Sequence, residues 1–178
     1  MPHIHTEEGQ HDHTVSFFII RTDFDEPKLI LHKHKRIGKL MMFGGHVELN
    51  ETPWQAALHE VTEETGYAHN QLTILQPEHR VRSLHQAVVH PVPVCSSTGA
   101  YPGDILHYHS DSAYVFLANE EAEGAPDEDE SLETRLVTLA ELKEIPEGEI
   151  VEAWRELGIE IFSYFLQAWK PEPFSNFS

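Results

Sequence analysis

Between Gly44 and Tyr67 the chain reads GGHVELNETPWQAALHEVTEETGY, which places Glu60, Glu63 and Glu64 within little more than one helical turn. Like charges at i, i+4 destabilise a helix by roughly 0.2–0.5 kcal/mol per pair even when exposed. Composition offers no relief, because 30 acidic residues face 12 basic ones and the net charge is −18. A cation held between the carboxylates resolves the crowding. Three converging oxygen ligands are what a hard dication such as Mg²⁺ or Mn²⁺ accepts. Gly44 and Gly45 just upstream let backbone carbonyls and amides approach the same spot, since neither carries a side chain.

The helix that presents these residues is well punctuated. Thr52, Pro53 and Gln55 form a capping-box pattern, with Thr52 as N-cap, Pro53 at the first helical position and Gln55 reaching back. Gly66 stands where a left-handed C-terminal residue belongs. A helix over Pro53–Thr65 is predicted. Trp54, Leu58 and Val61 recur at i, i+4 and i+7 as a buried stripe. At about 100° per residue, Glu60, Glu63 and Glu64 share another face, about a third of a turn away.

With Gly45, Glu51, Glu60, Val61, Glu63, Glu64, Gly66 and Tyr67 in place, this segment resembles the Nudix box, G-x5-E-x7-R-E-U-x-E-E-x-G-U, where U is a bulky apolar residue. The flanks are similar to the family too. A hydrophobic strand lies upstream, and LETRLVTLAELKEI resembles the late strand and short helix of that fold. The resemblance implies an α/β/α sandwich with a mixed sheet, and metal-dependent hydrolysis of a diphosphate linkage in a nucleoside diphosphate derivative. It implies Glu60, Glu63 and Glu64 as ligands to Mg²⁺ or Mn²⁺, helped by the Gly45 carbonyl, and Glu60 and Glu64 as catalytic groups. Glu60 is the first candidate for the base and an acidic-loop carboxylate the second, while Glu51 organises the loop. The expected partner is a small-molecule nucleotide derivative.

One position departs from the family. His59 stands where the family has Arg, whose fork grips a carboxylate with two parallel bonds. His59 reaches Glu63 at i+4 but offers a single bond, so its part in catalysis is a weaker orienting contact. That departure leaves open a Nudix domain kept as a nucleotide-binding or regulatory module. A further alternative is an isoprenoid-diphosphate isomerase, which needs a reactive thiol, and Cys95 is the sole cysteine.

Other polar clusters compete for a role. His107, His109 and Asp111 alternate in HYHSDSAY, so a strand points them to one face. A His-x-Asp pair with a distant His is also the pattern of non-haem iron sites. HPVP followed by HYHSD resembles a little-characterised bacterial Nudix branch, in which these residues would line the substrate pocket. Lys33, Lys35 and Arg36, in HKHKR, are candidates to hold substrate phosphates, as are Arg80 and Arg82 with less positional support. A solvated hairpin tip is the alternative for HKHKR. The acidic stretch 119–133 is read as a solvated loop, with Glu128, Glu130 or Glu133 as reserve ligands. His3, His5, His11 and His13 receive no role.

The elements that must position these groups are those of one domain. A chain of 178 residues has room for a single proper core. No apolar run is long enough to span a membrane, and the start MPHIHTEEGQHDH is no secretory signal. The acidic balance argues against a stable nucleic-acid complex or an anionic lipid partner. One cysteine fits a reducing compartment, so a cytoplasmic location is expected. Residues 1–13 read as a mobile arm, 14–170 as the domain and 171–178 as a frayed tail. Strands are predicted over TVSFFIIR, KLILHKHK, LTIL, QAVVHPVPV, ILHYHSDSAYVFLA and TRLVTL. Gly44-Gly45 reads as a turn or bulge and CSSTGAYPGD as a loop. AELKEI reads as a short helix, and residues 149–169 as a final amphipathic helix that covers the core or joins two subunits of a homodimer.

Overall fold

The computed structural model describes residues 7–101, 106–127 and 133–177. His3 and His5 of the expected arm, and Glu128 and Glu130 of the acidic stretch, lie outside the described residues. The strands are β1 (His11–Arg21), β2 (Lys28–Lys33), β3 (Leu40–Met41), β4 (Phe43–His46), β5 (Leu72–Gln76), β6 (Cys95–Tyr101), β7 (His107–Ala118), β8 (Thr134–Val137) and β9 (Lys170–Pro173). The helices that matter for the site are α1 (Pro53–Thr65), α2 (Leu139–Glu144) and α3 (Glu152–Glu160). Among the described residues no helix is long and apolar enough to cross a membrane.

The strands form one mixed sheet in the order β3-β2-β1-β7-β5-β9, with β4 on β1, β6 on β7 and β8 on β2. The apolar run of β1 is covered on both faces, as a central strand requires. It runs parallel to β7 from His11↔Tyr108 to Arg21↔Ala118. Antiparallel partners share its other edge: β2 pairs with Ile19–Arg21 and β4 with Thr14–Phe17. Alternation then sorts the core. Val15, Phe17, Tyr114 and Phe116 join Trp54, Ala57 and Val61 of α1 in one cluster. Phe18, Ile20, Ala113 and Val115 join Leu142 of α2 and the α3 segment in the other. Helices therefore lie on both faces of the sheet, the expected α/β/α sandwich.

Several elements differ from the sequence reading. β1 begins at His11, so His11–His13 of the expected arm are strand, paired with Tyr108–Ser110. The strand expected over 86–94 is absent among the described residues. Pro91 and Pro93 remove ladder donors there, and the expected loop from Cys95 instead supplies β6, paired to β7. The final helix is α3 followed by a π-helical turn over Ile161–Phe165 and a last turn at Leu166–Ala168. The tail is held rather than frayed. β9 pairs with β5, and Phe174 and Phe177 set their ring centroids 5.1 and 5.8 Å from that of Trp54. Arg80 and Arg82 fasten it further, at 2.7 and 3.1 Å from Glu172.

Gly44 and Gly45 lie inside β4 rather than in a turn. The neighbouring β2 residue His32 is 4% exposed and stacks on Phe43 with centroids 4.7 Å apart. Burial pushes its pKa down to about 4, and His34 adds to the effect. The folded chain thus keeps His32 neutral at pH values where the unfolded chain, at about 6.5, already binds the proton. The associated stability is complete above about pH 6.5 and is lost as pH falls toward 4. Urea unfolding of wild type and His32→Phe checks this. The wild type loses about 2–3 kcal/mol relative to the variant between pH 7.5 and 4.5, whereas a constant difference contradicts the assignment.

Candidate active site

The helix α1 forms as its caps require. The Gln55 amide donates to the Thr52 hydroxyl at 3.3 Å, and the Thr52 amide donates to Gln55 Oε1 at 2.9 Å. Gly66 closes the helix at φ 73°. Trp54, Ala57 and Val61 seat it on the sheet with 3% exposure or less. This fixes the rotation of the helix about its axis and hence where each glutamate emerges.

Two of the three glutamates meet the glycine pair. Glu64 Oε2 accepts a hydrogen bond from the Gly44 amide at 2.7 Å. Glu60 is 5% exposed, and its carboxylate occupies the notch at Gly45, where an added Cβ would stand 2.0 Å from Oε1 and 2.4 Å from Cδ. Gly44 is required for a different reason. Its φ is +145°, and an added Cβ would lie 2.1 Å from the Val15 carbonyl oxygen across the strand pair. One glycine lets β4 lie against β1, and the next leaves room for a carboxylate.

Glu63 points elsewhere. Its Oε1 lies 2.8 Å from His59 Nε2, and both side chains are nearly half exposed. The i+4 contact expected from the sequence is therefore formed, with one ring nitrogen where Arg would offer two. Glu51 accepts from the Glu48 amide at 2.9 Å, which organises the loop leading into α1. The structure brings Glu60, Glu64, Gly44 and Gly45 together and engages Glu63 with His59.

The remaining candidates separate. His107, His109 and Asp111 share alternation with Ala113, which places them on the sheet face opposite α1. Asp111 stands beside Thr14, and Thr14 beside His46, across β7, β1 and β4. Both Thr14 and Ser16 hydroxyls donate to Asp111 Oδ1 at 2.8 Å, while Oδ2 is buried without a hydrogen-bond partner. Burial pushes the Asp111 pKa up to about 6 against the pull of those two hydroxyls. The carboxylate that joins His107 and His109 is Asp12: ligand atoms of these three residues all lie within 4.8 Å of one another. Sequence reasoning missed Asp12 and His46, because only strand pairing brings them to that face. Lys35 and Arg36 sit in the β2–β3 hairpin, and Lys33 lies 3.6 Å from Glu133. Cys95 opens β6 and packs against the second core cluster.

Comparison with known proteins identifies the family. The NUDIX domain model matches residues 12–157. No curated protein matches the chain significantly. A NUDIX-family hydrolase from Clostridium perfringens superposes with a TM-score of 0.67 and 26% identity, covering 85% of this chain and 95% of its own. The Ap4A hydrolase of C. elegans, in a binary complex, gives 0.61 and 21%, covering 88% and 98%. The NUDIX domain of Shewanella oneidensis NrtR, complexed with ADP ribose, gives 0.54 and 15%, covering 86% of each chain. The chain belongs to the Nudix hydrolase superfamily.

The two glycines make separable predictions for stability. Gly44→Ala places a Cβ into β1 backbone at a left-handed φ and costs roughly 1–3 kcal/mol or more. Gly45→Ala meets only the end of a flexible glutamate side chain and costs less than about 1 kcal/mol. Urea midpoints of the two variants report the difference. Equal losses would contradict the division of roles.

Proposed function

We propose that the chain is a metal-dependent hydrolase that cleaves a diphosphate linkage in a nucleoside diphosphate derivative. The observation that carries this reading is the convergence of Glu60 and Glu64 on Gly45 and Gly44. The notch at Gly45 is a cradle that any Cβ would fill, and the donors beside it are the Glu60 and Glu64 carboxylates. That donor set fits a hard dication such as Mg²⁺ or Mn²⁺. Glu60, Glu64 and the Gly45 carbonyl would hold it, and Glu63 would join them only by leaving its contact with His59. A dication so held neutralises phosphate charge and lowers the pKa of a coordinated water.

The chain's own groups do the rest. Glu60 is the proposed base: its buried carboxylate takes the proton as water oxygen attacks phosphorus and the diphosphate P–O bond breaks. The Gly44 amide orients Glu64, fixing one carboxylate oxygen so that the other faces the reaction. His59 positions Glu63 through its single hydrogen bond. A basic partner near the phosphates is needed because the chain is strongly acidic overall, and Lys33, Lys35 and Arg36 in the β2–β3 hairpin are the proposed source. The structural relatives, an Ap4A hydrolase by name and an NrtR domain complexed with ADP ribose, support a nucleotide derivative as substrate.

The test is turnover with Mg²⁺ or Mn²⁺ across nucleoside triphosphates, nucleotide sugars, ADP-ribose, dinucleoside polyphosphates and capped RNA. At least one substrate releases phosphate or a monophosphate. Glu64→Gln lowers kcat by about 100-fold or more with the fold intact, the order of effect expected for losing a charge-stabilising group. No release from any substrate, with nucleotide binding retained, would instead identify a binding module.

A further inference from the structure

The sheet face opposite α1 carries a second cluster that the hydrolase reading does not use. Asp12 from β1, His46 from β4, and His107 and His109 from β7 gather at one end of these strands. The first three are 1%, 9% and 5% exposed. Asp12 Oδ2 stands 3.8 Å from His46 Nε2 and 3.8 Å from His107 Nε2. The His46 and His109 ring centroids are 5.1 Å apart, and those of His107 and His109 5.4 Å. Tyr101 of β6 stacks on His109 at 4.7 Å and leans on His107 at 5.2 Å, walling one side.

We propose that Asp12, His46, His107 and His109 form a binding site for a first-row transition-metal dication of the Zn²⁺ type. The 3.8 Å separations exceed hydrogen-bond range. They lie close to the edge of about 3.3 Å expected between ligands of a tetrahedral ion with bonds of about 2.0–2.1 Å. Small rotations of side chains already facing one another close that gap. Ligand chemistry sets the selectivity. Three imidazoles and one carboxylate suit Zn²⁺ and its neighbours, whereas Mg²⁺ demands oxygen donors and keeps its waters. The burial of Asp12 and His107 suits an inner-sphere site rather than loose surface chelation.

The site differs from the glutamate site in donors, in sheet face and in the metal it selects. It also ties together strands distant in sequence, so filling it stabilises the fold by mass action. The inference does not depend on the hydrolase reading, because its readout is metal retention.

The experiment uses the full chain, stripped with chelator, loaded with Zn²⁺ and gel-filtered in excess Mg²⁺. Wild type retains about one equivalent of Zn²⁺ and melts roughly 5 °C higher than the stripped protein. Co²⁺ gives the intense visible bands of a tetrahedral site. Glu64→Gln retains the Zn²⁺, and so does a variant with His3, His5, His11 and His13 changed to Gln, which excludes chelation by the N-terminal histidines. His46→Gln and His109→Gln, made separately, each lose it. Either of these two variants overturns the proposal if it folds and still retains the Zn²⁺. Failure of wild type to retain Zn²⁺, or loss in the N-terminal variant, overturns it equally.

Discussion

A buried carboxylate against a glycine is the constraint from which the rest of this molecule is arranged. Glu60 sits almost wholly out of water with its oxygen where a Cβ of residue 45 would be. Taking a carboxylate out of water is costly, so its place has to be set closely by the packing around it. That place is set by α1, packed on the sheet, and by β4, paired to β1. Trp54, Ala57 and Val61 set the helix, and the register Thr14↔His46 to Phe17↔Phe43 sets the strand. Neither element has freedom to carry the carboxylate into solvent.

Charge distribution follows the same logic on both sheet faces. On the α1 side, the Glu60 carboxylate fills a glycine notch and Glu64 takes the neighbouring Gly44 amide. Away from it, imidazoles surround Asp12, with Thr14, Ser16 and Asp111 in the adjoining rows. The central pair β1 and β7 is apolar over residues 17–20 and 113–118 and mostly polar over residues 11–16 and 107–112, with Arg21 at the far end of β1. Both candidate sites lie beside that polar half, and helices cover the apolar half on both faces.

The helix and its glutamates were legible in the sequence because everything that defines them is local. A cap, a proline, an apolar stripe and a terminal glycine all fall within the span from Thr52 to Gly66, and the observed helix has the expected bounds. The glycine pair was legible as special but not as strand, since the close approach to Val15 involves a segment far away in sequence. Asp12 and His46 were illegible for the same reason, and alternation alone named Asp111 as the companion of His107 and His109. Residues 86–101 misled because apolar character favoured the proline-containing half, while pairing to β7 favoured the exposed half. The tail looked dispensable by composition. Its two phenylalanines pack on Trp54, a contact that no local pattern signals.

The central claim is that Glu60, given room by Gly45, and Glu64, held by the Gly44 amide, would together bind a hard dication. Electron paramagnetic resonance of Mn²⁺ bound to the full chain, counting only the ions that Mg²⁺ displaces, measures this without any substrate. Tight, Mg²⁺-displaceable binding in wild type that weakens by about 10-fold or more in Gly45→Ala, as expected when one coordinating carboxylate is pushed aside, is the predicted result. Equal Mn²⁺ affinity in the two proteins would contradict the account.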